Sequence, residues 1–175
     1  SGTDFVAAPR VSPDGRQLAW LAWNHPDMPW DTTTLCVGDL NGASLSNVRA
    51  IAGGHDESVL EPAWDADGTL YFISDRTDWW NLYRWDGARA APVTSLGAEF
   101  AVPTWVLGHA NYALPGNGRA VARFGIGAAD KLGVVDLRSG KVTELNLPYV
   151  SYSNVRLLSS NEAIAIAATP FQDEA

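Results

Sequence analysis

Residues Arg10–Trp23 read RVSPDGRQLAWLAW, and Pro62–Ser74 read PAWDADGTLYFIS. In both, a short strand-like run enters an Asp-Gly pair and an apolar, β-rich run leaves it. Asp-Gly and Asn-Gly between such runs are strong hairpin signals, because both residues tolerate positive φ. The pattern returns at 113–125, ALPGNGRAVARFG, and in degenerate form around Ser160-Asn161 in RLLSSNEAIAIAA. The turn glycines Gly15, Gly68 and Gly118 are 53 and 50 residues apart, and the degenerate turn follows after 43. A second turn lies inside each unit, at Asn41-Gly42, Asp86-Gly87 and Ser139-Gly140.

Each unit therefore reads as four short antiparallel strands. Unit one has Pro9–Ser12, Gln17–Trp23, Thr33–Leu40 and Val48–Ala52; unit two has Leu60–Trp64, Thr69–Ser74, Asn81–Trp85 and Ala91–Thr94. Unit three has Val102–Leu107 (extendable to Leu114), Arg119–Gly125, Lys131–Asp136 and Val142–Leu145; a fourth begins with Asn154–Leu158 and Ala163–Ala168. Four strands per ~40–50 residues is the period of a β-propeller blade, whereas an ordinary sandwich has turns without a repeat of that length. The expected fold is all-β: a partial β-propeller of about three and a half four-stranded blades, near 9–53, 59–98, 101–147 and 151–175. Such an arc does not close a ring, so the chain reads as a piece of a larger protein. Its bare flank around Leu18, Trp20 and Leu21 and its strand Ala163–Ala168 make self-association of the isolated segment an expectation.

Composition agrees. Of 175 residues, 46% are hydrophobic and 18% charged, too apolar for a disordered chain, and 8 Trp favour strands. The net charge of -8 repels a phosphate backbone and argues against a nucleic-acid partner. No run approaches the ~18 apolar residues of a membrane helix, and no membrane partner is expected. The first residues, Ser1–Phe5, show no signal-peptide pattern. The single Cys36 excludes an intrachain disulfide and a four-Cys zinc site. It fits a reducing compartment, and the expected location is cytoplasmic, although a disulfide-free secreted protein is also compatible.

No Gly-x-Ser-x-Gly elbow, phosphate loop, dinucleotide fingerprint or His-Glu-x-x-His is present. No catalytic residue, metal site or cofactor is therefore expected in this chain. His25, His55 and His109 are scattered in loop-like contexts, and Cys36 sits mid-strand as a small apolar residue. The carboxylates Asp56, Glu57 and Glu61 lie in GGHDESVLEP, the link between units one and two. Such links run across the face or rim of a propeller, so these acids are the candidate substrate-binding residues; a solvated acidic loop is the plainer reading. Asp75-Arg76 read as a local pair pinning a hairpin. Trp79 and Trp80, being adjacent, should point to opposite sides. Trp23–Asp31, WNHPDMPWD, is a long insertion stiffened by Pro26 and Pro29, able to cover a blade edge or meet a neighbouring domain.

Four strings carry a resemblance: Asp4–Leu40, Ala52–Trp85, Ala98–Leu114 and Leu147–Leu158. They resemble serine peptidases of the prolyl oligopeptidase family, nearest the acylaminoacyl-peptidase and dipeptidyl-aminopeptidase-like branch, with WNHPDMPWD and SDRTDWWNLYRW the most specific motifs. The resemblance implies a propeller that roofs the active site of a C-terminal α/β-hydrolase domain, admits short peptides, and lends side chains to the substrate cavity. Related dipeptidyl peptidases hold the substrate's free amino terminus with propeller acids, a role for which this chain offers Glu57 with Asp56 or Glu61. The family's triad maps to no residue here, and the segment alone is expected to be inactive. The alternative is a TolB-like propeller acting only as a protein-binding scaffold. A glycan-directed propeller would need a cluster of inward acids and aromatics, which the sequence does not show.

Overall fold

The computed structural model describes residues 2–127, 129–159 and 162–169, and among them every regular element is a strand. The first sheet runs β1 (Phe5–Val11), β2 (Gln17–Trp23), β3 (Thr34–Asn41), β4 (Ser44–Gly53). The second runs β5 (Val59–Trp64), β6 (Leu70–Ser74), β7 (Asn81–Trp85), β8 (Ala90–Pro92). The third runs β9 (Tyr112–Ala113), β10 (Arg119–Ile126), β11 (Ala129–Asp136), β12 (Val142–Glu144), and the last pairs β13 (Ser151–Ser159) with β14 (Glu162–Ala168). All neighbours are antiparallel and follow chain order, as consecutive hairpins require. This is the blade arrangement of a partial propeller. The Ser160-Asn161 turn lies outside the described residues.

The core lies between blades. Leu70, Phe72 and Tyr83 of the second sheet meet Leu21, Leu35 and Val37 of the first. Tyr71, Ile73 and Leu82, one residue out of phase, meet Tyr112 and Phe124 of the third and Phe100 of the loop before it. The period of two thus serves both flanks, and every residue of β6 is buried. At the end of the arc β2 alternates over its middle: Ala19 and Leu21 are buried, with Ala22 beside them, while Leu18 and Trp20 are half exposed. Leu21 therefore faces the second blade rather than the bare flank expected of it. Along β13–β14, Leu158, Ile164 and Ile166 are exposed.

The expected strand Val102–Leu107 does not form, and residues 101–111 are irregular. Pro103 offers no N–H to a ladder, and its carbonyl accepts the Trp105 N–H at 3.0 Å in a tight local turn. Trp105 then packs on Trp30 in a tilted ring contact, centroids 4.3 Å apart, so this tryptophan serves a loop contact rather than a strand. The first strand of that blade is the two-residue β9.

Three of the four innermost strands share one irregularity. The ladders slip between Ala7 and Arg10, Leu60 and Ala63, and Ser153 and Arg156. Ala8, Glu61 and Asn154 sit in these slips at positive φ of 51° each. Ala8 and Glu61 stand seven residues before Gly15 and Gly68, and Asn111 stands seven before Gly118. The bulge is thus a repeated feature, and a bulge re-aims the side chain it carries.

Candidate functional site

Antiparallel order sends the connections to two opposite faces. One face carries the tight turns 12–16, 42–43, 65–69, 86–89, 114–118 and 137–141. The other carries the long loops 24–33, 54–58, 75–80, 93–111 and 145–150. Turn-face bonds are local: the Ser12 hydroxyl donates to Asp14 at 2.6 Å, and Asp86 Oδ1 accepts the Ala88 and Arg89 N–H groups at 3.0 Å. Loop-face bonds join distant residues. The Thr33 hydroxyl donates to the Val59 carbonyl at 2.7 Å, Ser58 Oγ donates to the Pro29 carbonyl at 2.8 Å, and the Trp80 N–H donates to Glu99 at 2.9 Å. The insertion 24–33 thereby meets both the following link and, through Trp30–Trp105, a loop of the third blade.

The three candidate acids are not brought together. Asp56 is a solvent-exposed carboxylate at positive φ, 2.6 Å from His55 Nδ1. Glu57 Oε1 accepts from Arg76 Nη2 at 2.7 Å, Arg76 Nε at 2.9 Å and the Ser74 hydroxyl at 2.6 Å. Its shallow groove is lined by Ala50–Gly53 and Arg76, on the outer side of the blade junction. The expected Asp75-Arg76 pair does not form. Arg76 turns to Glu57, and Asp75 accepts the Ser58 N–H at 2.7 Å, so both residues pin the link 54–58 to the hairpin. Trp79 is exposed, and Trp80 packs against the core, as adjacency implies.

Glu61 alone reaches the interior. Its Oε2 accepts the Asn111 N–H at 2.7 Å, its Oε1 accepts from Asn111 Nδ2, and its carbonyl accepts the Tyr112 hydroxyl at 2.7 Å. Glu61, at the bulge of the second blade, is thus joined directly to the residue at the matching distance from the turn in the third. Burial raises the Glu61 carboxyl above the usual glutamate range, against the pull of the Asn111 hydrogen bonds and the Arg156 and Arg123 charges. Among the described residues no cation pairs with it; the arginine and lysine ion pairs are Arg76–Glu57, Arg123–Asp130 and Lys131–Glu144.

Two cavities meet at Glu61, Arg10 and His109. The first, about 230 Å³, is walled by Leu21, Trp23, Leu60 and Leu107 and roofed by Pro29 and Thr104 on the loop face. The second, about 290 Å³, is walled by Trp64, Tyr112, Leu114, Leu157 and Arg156. A desolvated carboxylate at the junction of an apolar pocket and a polar one suits a cationic amine attached to an apolar group. Sequence reasoning passed over Arg10, Asn111 and Arg156 as site residues and kept His109 only as a loop histidine. Register carried the signal: counted back from the turns, seven residues give Ala8, Glu61 and Asn111, and five give Arg10, Ala63 and Ala113.

Other groups bring no chemistry. Cys36 is half-buried on β3, and burial pushes its thiol up, away from thiolate character. His25 lies in the insertion, its N–H donating to Asp4 at 3.0 Å. Among the described residues no group of three or more His, Cys, Asp or Glu is placed to hold a metal ion, and no helix is long and apolar enough to cross a membrane.

No protein-family description matches the chain, and no curated protein does. Solved structures do. Puromycin hydrolase aligns with a TM-score of 0.90 at 35% identity, over 97% of this chain and 26% of its own. A puromycin-hydrolyzing peptidase of Mycobacterium tuberculosis aligns at 0.87 and 35%, over 95% of this chain and 26% of its own. The chain therefore spans about a quarter of the length of these two proteins. A prolyl endopeptidase (TM-score 0.61, 15% identity, 91% of this chain and 24% of its own) and TolB from Acinetobacter baumannii (0.57, 20%, 86% and 34%) share the fold. With blades matched along nearly its whole length, the chain belongs to the prolyl oligopeptidase family as a segment of its β-propeller.

Proposed function

We propose that this segment forms part of the substrate-facing wall of a serine peptidase. In this reading the catalytic α/β-hydrolase domain packs on the loop face, and the propeller limits access to short peptides. Glu61 receives the free amino end of the substrate, and the neighbouring apolar cavity receives the side chain beside it. The observation that carries the reading is the half-buried Glu61 carboxylate, which among the described residues forms no ion pair and stands at the mouth of both cavities. The names puromycin hydrolase and puromycin-hydrolyzing peptidase, at 35% identity, favour a hydrolase over the TolB-type scaffold at 20%. Asp56 and Glu57 serve the link instead, the first in solvent and the second through Arg76.

A carboxylate holding an ammonium group in a partly dry cavity contributes about 1.5–3 kcal/mol as a charged hydrogen bond. In the full-length protein, Glu61→Gln should raise KM for free-amino substrates by about tenfold or more and leave N-acylated substrates alike. Equal effects on both substrate classes would overturn the assignment. Glu57→Gln, which loosens the link, should affect both classes equally.

A further inference from the structure

The second cavity is lined by two guanidinium groups that, among the described residues, form no ion pair. Arg10 on β1 and Arg156 on β13 come from the first and last blades of the arc and line the same space. Each stands two residues past its bulge residue, Ala8 and Asn154, and alanines 63 and 113 hold the equivalent position between them. Small residues at the two middle positions keep the space open. Arg10 Nη1 donates to the Pro9 carbonyl at 2.9 Å, and Arg156 Nη2 donates to the Gly108 carbonyl at 2.8 Å. Both arginines are exposed, and a guanidinium has five N–H donors, so most of each fork stays open to the cavity and its solvent. Among the described residues neither arginine is ion-paired, although the chain carries a net charge of -8. Glu61, the carboxylate on the same wall, is turned to Asn111.

We infer that Arg10 and Arg156, with His109, form a binding site for the free carboxylate of a short peptide. Paired guanidinium forks match the planar carboxylate, and two arginines from different blades fix its orientation as a single point charge would not. The cavity is about 290 Å³, with Trp64, Leu114 and Leu157 beside the arginines, which fits the end of a peptide rather than a polyanion. The inference rests on the reading of this wall as peptide-facing, not on the role of Glu61. The carboxylate belongs either to the substrate or to a released product.

The test uses the full-length protein and two arms. In the first, kcat/KM is measured for free-amino peptides ending in a carboxylate and for the same peptides ending in an amide. In the second, inhibition is measured for N-acetylated peptides with either end. The expected result is a preference for the carboxylate form of about tenfold in at least one arm. The double variant Arg10→Gln, Arg156→Gln abolishes it; Arg89→Gln, the same charge change in an exposed turn, does not. A preference in the first arm assigns the site to the substrate, and one confined to the second assigns it to a product. No preference in either arm, or one that survives in the double variant, overturns the inference. Because the comparison is a ratio within one protein, partial loss of folded enzyme does not imitate the result. Loss of amine preference in Glu61→Gln is a separate readout, so either assignment can fall while the other stands.

Discussion

The turn face and the loop face are built from the same strands and hold together in opposite ways. On the turn face the carboxylate bonds are local: Asp14, Asp86 and Asp136 accept from groups two or three residues away. On the loop face the polar bonds span 17 residues from Ser58 to Asp75, 26 from Thr33 to Val59 and 29 from Ser58 to Pro29. On the inner wall between the faces, 50 residues separate Glu61 from Asn111. The turns end blades; the loops and the inner wall join blades and shape the cavities. Substitutions on the two sides should therefore differ in kind.

The largest difference should appear at glycines. Gly53 ends β4 at φ 83°, where the Gly54 N–H reaches the Thr33 carbonyl; a Cβ at Gly53 would collide with that same carbonyl. Gly15 has a similar φ of 73° but open space around it. Gly53→Ala should cost about 3 kcal/mol, the sum of backbone strain and a steric shift at the blade junction. Gly15→Ala should cost about 1 kcal/mol, from the left-handed conformation alone. Denaturant midpoints of the purified chain check both, and equal losses would show that the junction yields as easily as the turn.

A smaller contrast concerns pH. Hydrogen bonds from Ser12, from the Arg89 N–H and from the Ser139 N–H hold Asp14, Asp86 and Asp136 below the usual carboxylate range. A depressed folded value stabilises the fold above the unfolded value, and that stability is lost as pH falls through the folded one. Glu61 is raised by burial, so the sign reverses: its contribution is present below the unfolded value and lost as pH rises through the folded one. Asp14→Asn should flatten stability on the acid side and Glu61→Gln on the rising side, read as differences from the parent between about pH 3 and pH 8. The same slope change in both variants would break the contrast.

The same division explains what the sequence revealed. Gln17–Trp23 and Asn81–Trp85 were placed to the residue, since an Asp-Gly or Asn-Gly pair and a period of two are local facts. Val102–Leu107 misled because Pro103 interrupts the ladder and Trp105 meets Trp30, a partner roughly seventy-five residues away that no local pattern announces. Asp56, Glu57 and Glu61 are neighbours in sequence, but the link 54–58 and the bulge send them to solvent, to Arg76 and to the cavity in turn. Glu61 was legible as a candidate. Its partnership with Asn111 and the Arg10–Arg156 cavity needed the blades to be superposed on one register.

The central claim is that Glu61 receives an amino end. A crystal structure of the full-length protein with a non-hydrolysable free-amino peptide bound tests it most directly. The account predicts the ammonium nitrogen within about 3.2 Å of a Glu61 carboxylate oxygen and the adjoining side chain between Trp23 and Leu60. An ammonium group held by any other carboxylate, with Glu61 still turned only to Asn111, would contradict it.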